Sequence, residues 1–97
     1  ELPALVEEAG RHGPVVVFHS AVVAYLPSER RAELHDLMTG LVASGRCHWV
    51  SNEAPRVLPA ITATGVVPAG HTGFVLGVDG RAVALTHGHG RWLRWLG

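Results

Sequence analysis

His19, Ser20, Tyr25, the run Ser51-Asn52-Glu53, and His87-x-His89 with the nearby Trp92 are the residues of this chain whose types could carry chemistry. His19, Ser20 and Glu53 are the residue types of a nucleophilic triad, in which a carboxylate orients an imidazole that takes the proton of a serine hydroxyl. Against that reading, Ser20 directly follows His19 on one backbone, which usually points the two side chains apart, and no G-x-S-x-G elbow occurs. Two other readings stay open. In the first, Ser20 caps a helix while His19 bonds a neighbouring loop. In the second, His19, Tyr25 and Glu53 orient a polar group of a ligand in a pocket.

Glu53 is a candidate general base if partial burial beside Trp49 raises its pKa, and a plain surface carboxylate otherwise. His87-x-His89, with Glu53 or His19 as a third ligand, has the donor types of a metal site, but the glycines between and after the histidines leave the geometry open. The expectation is therefore Glu53 and His19 as catalytic residues, substrate contacts from Ser20, Tyr25, Ser51, Asn52, His87 and Trp92, and no metal. No glycine-rich phosphate loop is present.

The elements that must position these residues follow from the apolar pattern. Val15-Val16-Val17-Phe18 is an apolar run ending in His19-Ser20, the pattern of a buried parallel strand with a polar tip at its carboxyl end, where open α/β folds bind ligands. Its lack of alternation predicts cover on both faces. Before it, Leu2, Leu5, Val6 and Ala9 have helical spacing. After it, Ser20 is placed to cap a short turn over residues 21–25, and Ser28 to cap a helix running to about Ser44. On that helix Leu34, Leu37, Met38, Leu41 and Val42 form one apolar stripe. Cys47-His48-Trp49-Val50-Ser51 reads as a second strand, joined to the first by a right-handed crossover and so parallel to it. Residues 54–72 read as a long connection with a short strand near Ile61. Asp79-Gly80 between Gly73–Val78 and Arg81–Thr86 predicts an antiparallel hairpin, and the tail carries Trp92 and Trp95, which need a groove to cover them.

Composition narrows the classes. Eight basic residues, all Arg, balance eight acidic ones, so no basic field exists to attract nucleic acid or anionic lipid. No run reaches the ~18 apolar residues of a membrane span, and the single Cys47 forms no intrachain disulfide, so a cytoplasmic protein is expected. Residues 1–97 read as one α/β domain, and 47% hydrophobic residues is high for a free-standing unit of this size, which suggests the carboxyl-terminal part of a larger protein.

Val17-Phe18-His19-Ser20 with Tyr25, Trp49-Val50-Ser51 with Glu53, and His87-Gly88 with Trp92 and Trp95 resemble the carboxyl-terminal part of an uncharacterised, mostly actinobacterial family known as a domain of unknown function. The late region of that family is in turn similar in order to the second half of class I S-adenosylmethionine-dependent methyltransferases. The resemblance implies a Rossmann-like half-sheet, mostly parallel with a closing antiparallel hairpin. It further implies substrate-facing polar residues after the first strand, at His19 and Ser20. S-adenosylmethionine is implied only for the full-length parent. The implied partner is the parent's amino-terminal half or a second copy of the chain. The alternative is a non-catalytic module that associates through an apolar sheet edge.

Overall fold

A computed structural model describes residues 1–96. Helix α1 (Leu2–Gly10) starts where the Glu1 carboxylate accepts the Ala4 N–H at 2.9 Å, and it buries Val6. Strand β1 (Val16–Ser20) follows, then a single 3₁₀ turn (Val23–Tyr25) and helix α2 (Ser28–Ala43). Strand β2 (His48–Glu53), the short helix α3 (Pro59–Thr62), the hairpin strands β3 (Phe74–Val78) and β4 (Arg81–Thr86), and β5 (Leu93–Trp95) complete the chain.

The sheet runs in the order β1-β2-β3-β4-β5. Only β1 and β2 are parallel, with Val16 opposite His48 and Ser20 opposite Asn52. The other pairs are antiparallel, so the sheet is mixed where a mostly parallel one was expected. The reason is local: the connection after Glu53 makes a helical turn at Pro59–Thr62 instead of the strand expected near Ile61, and the chain re-enters beside β2 from the opposite end. The hairpin turn forms at Asp79-Gly80 with φ of 52° and 86°, the positive pair that a type I′ turn needs.

All three helices supply one cluster. Val6, Met38, Leu41 and Ile61 pack with Trp49, Val75 and Leu85 on a single face of the sheet. The opposite face carries no helix, and there Val16, Phe18, Val78 and Trp95 are exposed, Phe18 at 63% and Trp95 at 70%. The expected double cover of β1 is thus replaced by a two-layer arrangement with an apolar open face, and β1 is an edge strand. Neither tail tryptophan finds the expected groove; Trp95 instead pairs with Ala84 in β5. On α2, Met38 and Leu41 are buried and Leu34 and Val42 half-buried, while Leu37 lies exposed at the rim. Ser28 is the first residue of α2 rather than its cap, and Pro27 takes the cap position without a side-chain bond.

Gly77 lets two layers meet. A methyl group there would lie 2.6 Å from Ser51 Oγ and 3.0 Å from Ile61, closer than side chains approach. Asp79 joins the hairpin to β2: its carboxylate accepts the Trp49 N–H at 2.8 Å and a bond from His48 Nδ1 at 3.0 Å, while its own N–H donates to the Trp49 carbonyl. The His48 bond, followed by the Trp49 amide, holds the Asp79 carboxyl below its usual range. Burial, reinforced by nearby Asp79, pushes the Cys47 thiol up, so it is a packing residue and a poor nucleophile.

Two measurements check this packing. Gly77→Ala is expected to cost about 1–3 kcal/mol in urea unfolding, because the added methyl overpacks the β3–α3 contact; an unchanged midpoint would mean that the contact is slack. A carboxyl with a lowered folded-state pKa contributes stability that is present above its unfolded value near 3.8 and is lost as pH falls through the lower folded value. Asp79→Asn should therefore remove part of the acid-labile stability, giving a flatter dependence of Tm on pH below about 5 than the wild type. Parallel pH profiles would assign that stability elsewhere.

Candidate functional site

Residues alternate sides along a strand, and the β1–β2 register places His19 opposite Ser51 and Ser20 opposite Asn52. The pleat therefore divides the expected site in two. His19, Ser51 and Glu53 lie on the helix-covered face, and Ser20 and Asn52 on the open one.

On the covered face Glu53 is 2% exposed. A buried carboxylate is costly unless donors surround it. Here Glu53 Oε2 meets His19 Nδ1 at 2.7 Å and lies 3.4 Å from the Val22 N–H, and Oε1 accepts the Val23 N–H at 3.2 Å. The carboxylate thus caps the 3₁₀ turn after β1, the role that Ser20 was expected to fill. The fully buried Trp49 donates its indole N–H to His19 Nε2 at 2.8 Å, and its ring meets His35 edge-on at 5.7 Å. Since Nε2 accepts, the His19 proton resides on Nδ1 and points to the carboxylate. Both nitrogens of the imidazole are engaged, and none is left to take a proton from a substrate. Ser51 is buried under Ile61 and Gly77, and Tyr25 is 88% exposed.

On the open face a cleft of about 410 Å³ is lined by Ser20, Asn52, Thr86, His87 and Trp92, with Phe74 and Leu93 as apolar walls. Four of the expected binding residues, Ser20, Asn52, His87 and Trp92, converge here. A hydrogen-bond ladder crosses it: the Thr86 hydroxyl donates to Asn52 Oδ1 at 2.8 Å, and Asn52 Nδ2 donates to Ser20 Oγ at 3.1 Å. Ala21, the next residue, has φ 57°, the left-handed region that a side chain disfavours, and its N–H donates to the Asn52 carbonyl at 3.0 Å. Such strain at the end of β1 is held by these bonds and fixes the direction of Ser20.

The loop after β4 is closed by the His87 N–H donating to the Trp92 carbonyl at 3.1 Å. The His87 ring lies 5.9 Å from that of Trp92, and the His71 ring 6.0 Å from it. His87 and His89 have ring centroids 5.6 Å apart, and no group of three potential metal ligands occurs among the described residues. The sequence reading missed Thr86 and Phe74, and it took Trp49 as a neighbour of Glu53 without its bond to His19. Thr86 ends a strand just before a glycine-rich turn, a position similar to that of Ser20, but its place opposite Asn52 depends on pairing through β3. No helix among the described residues is long and apolar enough to cross a membrane.

If Glu53 is chiefly a cap and anchor, Glu53→Gln should destabilise the fold, since an amide NH₂ would face donors that now meet a carboxylate oxygen. The expected loss is on the order of 1–3 kcal/mol in chemical denaturation. Wild-type stability in that variant would free the carboxylate for a direct chemical role.

Comparison with curated proteins and with solved structures gives no match. A family model described as "Uncharacterized protein conserved in bacteria" matches residues 1–95, nearly the whole chain. The sheet, the buried Glu53–His19–Trp49 chain and the open-face cleft are therefore features of a protein that belongs to the DUF2332 family of uncharacterised bacterial proteins.

Proposed function

We propose that this protein is a small-molecule-binding α/β unit, the substrate-side half of a methyltransferase-like sheet, which holds its substrate in the open-face cleft at the carboxyl ends of β1 and β2. The observation that carries the reading is the convergence of Ser20, Asn52, Thr86, His87 and Trp92 from distant parts of the chain on one cleft. Carboxyl strand ends are where open α/β sheets take ligands. The strand–helix–strand crossover of β1, α2 and β2, followed by an antiparallel pair, supports the Rossmann-like, methyltransferase-like part of the proposal. In this reading His19 and Glu53 are positioning residues: they hold the turn after β1, and through it Ser20.

The cleft does not fit S-adenosylmethionine itself. Its lining offers no carboxylate to meet the ammonium and sulfonium charges or the ribose hydroxyls. The substrate, not that cofactor, belongs here, and any cofactor site lies elsewhere in the parent protein.

A second reading, a non-catalytic assembly module, is favoured by the exposed Phe18 and Val16 on the unblunted edge strand β1. The partner would be another part of the parent protein or a second copy of this chain.

Calorimetric titration of the parent protein with S-adenosylmethionine and its demethylated product separates the two readings. Measurable binding, with turnover lost in an Asn52→Ala variant that remains folded, is the expected result. A null titration together with concentration-dependent dimerisation, abolished by Phe18→Asp, would replace the methyltransferase reading with the module.

A further inference from the structure

We infer that the cleft selects a flat, uncharged ligand through a hydrogen-bond acceptor such as a carbonyl oxygen; this rests on the pocket reading above. The argument is the direction of the ladder. Asn52 Oδ1 is taken by the Thr86 hydroxyl, and Asn52 Nδ2 spends one hydrogen on Ser20 Oγ. What remains is the second hydrogen of Nδ2 and the Ser20 hydroxyl hydrogen, to which the described residues offer no acceptor. His87 adds a third donor. Its Nδ1 accepts the His89 N–H at 3.0 Å, so the neutral ring carries its hydrogen on Nε2. The lone pairs left over are the second one of Asn52 Oδ1 and those of the Ser20 and Thr86 hydroxyls, and Thr86 is only 8% exposed. The three free donors thus outnumber the acceptors that a ligand can reach, on Asn52 and Ser20.

Charge and shape narrow the class. No side chain lining the cleft is acidic or an arginine, so an ionised carboxylate would lose its hydration with no ion to replace it. Phe74 and the half-exposed Trp92 offer aromatic surface beside the donors. A ring that stacks on Trp92 can direct a carbonyl oxygen at Ser20 and Asn52.

The test is titration of the protein with N,N-dimethylbenzamide, benzoate and benzylammonium, followed by the amide signals of Ser20 and Asn52 and the Trp92 indole signal in ¹H–¹⁵N spectra. The amide probe, which has an acceptor and no donor, is expected to shift these signals saturably. Benzoate should bind at least about fivefold more weakly and benzylammonium not at all. Ser20→Ala should weaken the amide probe about fivefold, and Asn52→Asp, which places a negative acceptor in the ladder, should reverse the order in favour of benzylammonium. Benzylammonium binding as tightly as the amide to the wild type, or amide affinity unchanged in Ser20→Ala, overturns the inference and leaves the pocket standing. If no probe shifts the cleft signals, the pocket reading falls and the inference falls with it.

Discussion

The buried Glu53 carboxylate is the interaction on which the arrangement at the strand ends depends. It sits at the end of β2 and gathers donors from the end of β1 and from the turn that follows: the His19 imidazole and the Val22 and Val23 amides. Those groups come from a segment some 30 residues away in the chain, and without the carboxylate both amides would be left without a partner at the head of a helical turn. Trp49, four residues earlier on the same face of β2, completes the chain by donating to His19. The imidazole is thereby fixed in one tautomer between an acceptor and a donor, and the path of the backbone from Ser20 to Val23 is fixed with it.

That path matters because it leaves the polar tip of β1 in a strained conformation at Ala21. A left-handed alanine persists only where its surroundings over-determine it. Here the Asn52 carbonyl holds the Ala21 amide, and Glu53 holds the next two. Consecutive residues of β2 therefore serve opposite faces of the sheet: Glu53 secures the turn from beneath, while Asn52 reads the cleft above. The buried acid–imidazole pair and the ladder that lines the cleft are mechanically joined without sharing an atom.

The open face gives the molecule its other constraint. A single helical layer covers one side of the sheet, while the other presents Val16, Phe18, Val78, Leu93 and Trp95 to solvent. Apolar area of this kind on a β1 edge with unpaired backbone groups is a surface at which further chain can be added. The cleft lies at the end of this face, so its apolar walls are continuous with the exposed strand residues. Whatever covers the face also bounds the cleft.

The sequence by itself determined the local elements. The 3.6-residue stripe of Leu34, Met38 and Leu41 specified α2, the apolar run before His19 specified β1, the length of the crossover made β1 and β2 parallel, and Asp79-Gly80 set the hairpin, because each is written in adjacent residues. It also marked Ser20, Asn52, His87 and Trp92 as polar or aromatic groups at element ends. Only the tertiary structure decided which of the marked residues share a site. Side chains alternate by one residue along a strand, and the face on which His19 and Glu53 fall is set by where the helices pack, a choice that β1 does not encode in an unbroken apolar run. The same holds for β3: nothing near Phe74 specifies that it inserts antiparallel beside β2, yet that pairing carries Thr86 to Asn52 and closes the cleft. Pairing across more than 30 residues is settled by the burial of a common core around Trp49, and so the site was legible as residues but not as a place.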